Sequence, residues 1–201
     1  MIILLWITSF GVGAIRTPNT AEKSKYPWTE LDEYVWRPDD NFKWSVISEE
    51  DYTDPDGDGT AKFVVLNVTT QAWLTPETFT KHNCHIWWHY VHLIIPDHFN
   101  DENNPLRESA FVMVGQGNYE NDPATPEEEK TKYALKVALS TNSVAVSIRN
   151  VPFQPCKFAE DKRNKRKVED ALIAFTRAVF INYAGKKFFL SKLKNAMIRL
   201  F

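Results

Sequence analysis

An α/β fold is the class this sequence predicts, on three observations. Phe111-Val112-Met113-Val114 and Val144-Ala145-Val146-Ser147-Ile148 are short apolar runs of the buried-strand kind. Between them a helical pattern opens at Thr125-Pro126-Glu127-Glu128 and places Tyr133 with Val137, and Leu135 with Leu139, at four-residue spacing. Thr125 is the expected cap, Pro126 suits the first turn, and Glu128 completes a capping box facing the positive helix end. A strand, helix and strand of this length make a βαβ unit, with parallel strands and a right-handed crossover. The third observation is composition: 201 residues, 43% hydrophobic and 25% charged, describe one domain with a core of ordinary size.

Taken in order, the chain begins with an apolar leader, Met1 to Ala14, that ends in small residues. It is too short to span a bilayer, so the expectation is a cleaved signal peptide over residues 1–14. The alternative is a buried first strand; no Lys or Arg stands near its start. A polar stretch leads to an aromatic segment, Pro27 to Trp36, expected to lie over a core. Trp44 to Ser48 alternates like an edge strand, and Ala61 to Thr69 reads as its hairpin partner. Between them, Asp54, Asp56, Asp58 and Gly59 match the first half of an EF-hand loop. The twelfth position is Val65, where a bidentate Glu is required, so a hairpin turn is the reading.

All five histidines, His82, His85, His89, His92 and His98, fall in one short window. Ile86 to Pro96 is aromatic and β-branched, which says strand, and alternation puts His85 and His89 on one face and His92 on the other. Without a His-Glu-x-x-His pattern or a carboxylate partner, no metal site is expected and no cofactor is implied. Some of these imidazoles read as hydrogen-bonding residues within a long strand whose tryptophans are buried. Asn67-Val68-Thr69 is a glycosylation sequon. Cys84 and Cys156 form an even pair, open to a disulfide in an oxidising compartment or to two unrelated buried thiols.

A net charge of −2 gives no overall argument for nucleic acid or an anionic membrane. The basic run Lys162 to Lys167 is local and reads as a solvated loop and helix start. Beyond it, Val168, Leu172, Phe175, Val179 and Tyr183 trace one helical face, and Leu190, Leu193, Met197 and Leu200 trace a second. Gly115-Gln116-Gly117-Asn118 lies past the carboxyl end of its strand, where open α/β sheets bind ligands.

Several blocks resemble the PhoPQ-activated pathogenicity-related protein family, which includes the autocrine proliferation repressors. They are Leu31 to Asp39, Asn67 to Leu74, Ile86 to Tyr90 with Ile94-Ile95-Pro96, Gly115 to Asn118, Asn150 to Pro155 and Glu169 to Thr176. The resemblance implies a secreted or cell-surface protein with an α/β-hydrolase-like sheet. In that fold the loop after the third strand supplies a backbone N–H to an oxyanion hole, which Gly115, Gln116 and Gly117 would line. The competing reading is a tight turn with no chemistry.

A hydrolase of this class continues into a nucleophile elbow, an acid and a histidine. No Gly-x-Ser-x-Gly occurs in this sequence, and the histidines all precede the place for a triad base. Residues 15–201 are therefore expected to form an incomplete α/β-hydrolase-like domain, truncated before the nucleophile strand. A truncated gene product, a real short product acting by binding, or a sheet completed by a partner chain would each account for this. The expected partner is a cell-surface receptor or other protein, with neither nucleic acid nor a stable membrane span. A carbohydrate-binding module using exposed tryptophans is a weaker reading.

Overall fold

The computed structural model describes residue 32 and residues 37–57, 59–80, 84–121, 123, 125, 126 and 128–183. The leader 1–14, nearly all of the Pro27–Trp36 segment and the second helical pattern near the end of the chain lie outside these residues. The described part is a five-stranded mixed sheet with two helices, an α/β architecture. The strands are β1 (Lys43–Thr53), β2 (Thr60–Ala72), β3 (Ile86–Pro96), β4 (Ala110–Val114) and β5 (Val144–Ile148). The helices are α1 (Glu129–Thr141) and α2 (Glu169–Tyr183), with one 3₁₀ turn at Pro76–Thr78.

Spatial order is β1-β2-β3-β5-β4. The first three strands form an antiparallel meander, β3 runs antiparallel to β5, and only β4 and β5 are parallel. The crossover between β4 and β5 thus has its parallel pair, while the sheet as a whole is mostly antiparallel. The acidic β1–β2 connection is a hairpin turn: Asp54 N–H donates to Gly59 O at 2.9 Å and Gly57 N–H to Asp54 O at 3.1 Å. Both glycines hold positive φ, +87° and +138°, which a side chain would disfavour.

Two details of the crossover differ from the sequence reading. Helix α1 starts at Glu129 with Glu128 at the cap position, three residues later than Thr125. No capping box forms, because the Glu128 carboxylate is taken by Arg149, its Oε1 lying 2.5 Å from Nη2. The buried face of α1 is Thr131, Ala134, Leu135 and Ala138, whereas Tyr133 is 58% exposed. Small residues win this face because helix and sheet approach closely there. The helix stops where the sequence indicates, with Asn142 in the left-handed region accepting the C-terminal position that Asn tolerates.

The core divides into two clusters. Under α1, Ala61, Phe63, Val65, Ile94, Ala134, Leu135, Ala138 and Ala145 pack on the sheet. At the end of the sheet where β3 begins, Trp73, Phe79, Trp87, Phe153, Phe158 and Leu172 enclose the Cys84–Cys156 disulfide. Trp73 meets Trp87 edge-on at 5.0 Å, and Phe158 meets Phe175 of α2 at 4.8 Å. Aromatic pairs of this kind add about 0.5–1.5 kcal/mol each beyond burial.

The sheet edges are unlike each other. Among the described residues β1 and β4 each pair on one side only. β1 carries Glu49, Glu50 and Asp51 and a register shift between Val46 and Ser48, both of which discourage further pairing. β4 is Ala-Phe-Val-Met-Val without a charge or bulge, and Val112 and Val114 are 54% and 60% exposed.

Two outcomes follow from this packing. The disulfide joins cysteines 72 residues apart. Its reduction should lower unfolding free energy by roughly 2–5 kcal/mol, read from urea midpoints with and without reductant. Val112→Lys should leave stability within about 0.5 kcal/mol yet raise the concentration at which the protein stays monodisperse in light scattering. Equal self-association of wild type and variant would show that the β4 edge is not the sticky surface.

Candidate functional site

Parallel pairing brings the carboxyl ends of β4 and β5 to one edge, so the loops that follow them adjoin. Gly115 N–H donates to Ile148 O at 2.8 Å, extending the ladder by one residue. Val151 N–H then donates to Gly115 O at 3.2 Å, and Gln154 Nε2 to Gly117 O at 2.7 Å. Tyr119 N–H closes the far end on Gln154 O at 3.0 Å. A Cβ on Gly117 would press on the Asn150 carboxamide and sit 3.2 Å from the Asn150 backbone nitrogen, so only glycine fits without displacement. Asn150 is buried and held at φ +64°, a conformation Asn adopts more readily than most residues.

A polar layer lies beside this loop, between α1 and the sheet. His92 and Ser147 are cross-strand neighbours of β3 and β5, both fully buried, and Thr131 of α1 is equally buried. The His92 ring stacks on Phe63 at 5.5 Å. Neither ring nitrogen of His92, nor Ser147 Oγ, Thr131 Oγ1, Arg149 Nη1, Asn150 Nδ2 or the Tyr119 hydroxyl, has a hydrogen-bond partner among the described residues. Burial, with the Arg149 cation adding to it and Glu128 opposing, pushes His92 down to about 4. His92 is therefore a neutral imidazole at neutral pH. Ser147 and His92 do not make a nucleophile and base, because both are sealed in mid-strand under α1. Sequence alternation separates His92 from His89 but does not show Ser147 opposite His92; only the β3–β5 register does.

The remaining sequence-selected residues scatter. His82 lies outside the described residues. His85 precedes β3, its Nδ1 3.2 Å from Trp73 O, and His89 Nδ1 is 3.0 Å from Arg149 O. Burial holds His89 below the ordinary imidazole value. His98 is exposed after β3. Among the described residues no group of three His, Cys, Asp or Glu side chains could hold a metal ion. Asn67 is half-buried in the middle of β2, between Ser45 of β1 and Tyr90 of β3, instead of on a surface loop. The basic run folds around Asp161, which pairs with Lys167 and accepts the Arg163 and Lys165 backbone N–H groups at 3.2 and 3.1 Å. Arg166 pairs with Glu120 at 2.5 Å, tying this loop to the one after β4. No described helix is long and apolar enough to cross a membrane.

A family model described as PhoPQ-activated pathogenicity-related protein matches residues 31–198. The chain belongs to this family. It is 27% identical over 165 residues to autocrine proliferation repressor protein A of Dictyostelium discoideum, across 82% of this chain and 29% of the relative. The chain thus spans under a third of that relative's length. No solved structure matches. Within this PhoPQ-related chain the resembling blocks Ile86–Tyr90, Gly115–Asn118 and Asn150–Pro155 meet at one place: Trp88 lies against Phe153 at 5.7 Å, and Gln154 Nε2 donates to Gly117 O at 2.7 Å.

The depressed His92 value sets a pH dependence. Unfolded, the imidazole titrates near 6.5; folded, near 4, so the unfolded chain binds the proton first as pH falls. The associated stability is complete above pH 6.5 and is lost towards pH 4. The loss amounts to about 3 kcal/mol. Urea unfolding at pH 7 and pH 4 should show wild type losing that much more than His92→Leu; equal losses would refute it.

Proposed function

We propose that this chain forms the amino-terminal part of an α/β-hydrolase-like domain in a secreted protein of the autocrine proliferation repressor kind. It carries the oxyanion side of a site and no catalytic machinery of its own. The observation that carries this reading is the loop Gly115, Gln116, Gly117 at the carboxyl end of β4, on the connection that leads to the crossover helix and packed on the Asn150–Gln154 segment. An antiparallel lead-in that runs into a βαβ unit with a small-residue loop after its first strand suits a fold whose oxyanion donor comes from that loop. The parent domain would act on an ester- or amide-like carbonyl, the loop stabilising charge as it develops on oxygen.

In this chain the chemistry has no nucleophile. The sequence holds no Gly-x-Ser-x-Gly elbow, and Ser147, the serine beside an imidazole, is fully buried. The second reading is a secreted signalling or binding protein that engages a cell-surface receptor or protein partner through its surface. The likeness to a protein named as a repressor of proliferation favours it. Both readings take the leader 1–14 as a signal peptide and Asn67 as its glycosylation acceptor.

Incubating the purified chain with a fluorophosphonate probe should give no labelled band, and a denaturation-sensitive band would overturn the non-catalytic reading. Expression in a eukaryotic secretory host should release protein that begins after Ala14 and shifts on glycosidase treatment, a shift absent in Asn67→Gln. Retention inside the cell with Met1 intact would sink the secreted reading.

A further inference from the structure

The basic run Lys162 to Lys167 has no part in the glycine-loop site, yet its order is specific. Arg163, Lys165 and Arg166 put a cation at the first, third and fourth positions of a tetrapeptide, and the pattern Arg-x-Lys/Arg-Arg occurs once in the sequence. Residues 162–166 are all exposed and lie in neither helix nor strand, on the connection from the Asn150–Cys156 segment to α2. A polyanion would need a continuous basic face, and these cations do not make one. Arg166 is engaged by Glu120 at 2.5 Å and Lys167 by Asp161, while Glu160, Glu169 and Asp170 flank the run. A cleft that reads basic side chains one at a time, each in its own acidic subsite, suits the run better.

The loop is folded back on one carboxylate. The Arg163 and Lys165 N–H groups donate to the Asp161 side chain at 3.2 and 3.1 Å, the Asn164 N–H donates to Asp161 O at 2.7 Å, and Asn164 stands at φ +49°. Immediately after this turn, Lys167 exchanges two backbone hydrogen bonds with Cys156, at 2.7 and 2.9 Å. The Arg166–Lys167 peptide bond therefore sits where an exposed turn meets a fixed point. Proteolytic nicking concentrates at exposed loop tips, through openings of the local segment. The opening needed here releases the Asp161 contacts, the Arg166–Glu120 pair and the Lys167–Cys156 bridge. None of these belongs to the five-stranded sheet or to α1.

We propose that Arg166–Lys167 is a processing site for a serine endoprotease of paired-basic specificity, with Arg163, Lys165 and Arg166 as the recognised side chains and Asp161 as the latch that sets the rate. This rests on the secreted reading, because enzymes of that specificity act along the secretory route. The reaction is hydrolysis. The amide C–N bond breaks, the hydroxyl of water goes to the Arg166 carbonyl carbon and its proton to the Lys167 nitrogen, and the acid and amine then exchange a proton to end as carboxylate and ammonium. Both cysteines precede the cut, so the disulfide does not hold the two pieces together. α2 is then kept by packing alone: Leu172 is fully buried, Phe175 lies 4.8 Å from Phe158, and Glu169 N–H donates to Gln154 Oε1 at 2.5 Å. Cleavage thus turns α2 from a covalent part of the domain into a releasable cover on the aromatic cluster around the disulfide.

The test treats the whole, disulfide-bonded chain with a purified subtilisin-like proprotein convertase and, in parallel, with trypsin. The convertase should create one new amino terminus, Lys167, and the two pieces should separate on a denaturing gel without reductant. Arg163→Ala removes the first recognised cation and keeps the backbone N–H that Asp161 accepts. Convertase cutting of this variant should fall about tenfold or more, while trypsin, which needs a single basic residue, cuts the run as before. Asp161→Ala should be cut several-fold faster by both enzymes, since cutting tracks the population of the open loop. Convertase cutting indifferent to Arg163→Ala, a first cut elsewhere, or no cut of wild type and Asp161→Ala alike would overturn the assignment. The assay uses purified enzyme, so its failure is distinct from a failure of the secreted reading, which shows as retention inside the cell.

Discussion

The antiparallel pairing of β3 with β5 is the joint on which the rest of this structure depends. On one side of it stands a meander of local hairpin contacts; on the other, a crossover unit whose strands are separated by a helix. Four residue pairs, Val91 with Ile148 through Ile94 with Ala145, join the two. The joint continues beyond the ladder, since Arg149 N–H donates to Tyr90 O at 2.8 Å and the Asn150–Cys156 segment follows the start of β3. There it packs its aromatic residue on Trp87 and Trp88 and reaches the disulfide. Because long-range pairing of this kind gains nothing until the intervening chain is ordered, it is costlier entropically than the hairpin contacts beside it. It is also the one that brings the glycine loop against its supports.

What the sequence makes legible is whatever depends on local pattern. The strands, the hairpin turn at Asp54–Gly59, the crossover and the stop of α1 at Asn142 all follow from alternation, glycine placement and helix periodicity. The start of α1 is not legible, because the Glu128 carboxylate that a capping box needs is claimed by Arg149, a residue on another element. The buried face of α1 is likewise set by closeness to the sheet, which favours Ala134 and Ala138 over the larger Tyr133.

The site divides along the same line. Gly115 and Gly117 stand out in the sequence, but the reason Gly117 must be glycine lies in Asn150, across the β4–β5 pair. The polar layer of His92, Ser147 and Thr131 comes from three elements, and nothing in any one of them marks it. Gln154 reads as an ordinary residue between two prolines until its three hydrogen bonds are seen. Its neighbours on both sides of that segment follow cis peptides, Val151–Pro152 and Gln154–Pro155, which no periodicity reports.

The unlike edges of the sheet give it a polarity of growth. β1 behaves as a terminator, with carboxylates and an irregular register that reject a further strand. β4 behaves as a primer, short, uncharged and without a register shift. Among the described residues β4 is the edge open to a further strand, and the end of such a strand nearest the loop would arrive alongside Gln116. A strand added at that margin would also lie beside the glycine loop and limit what can approach it.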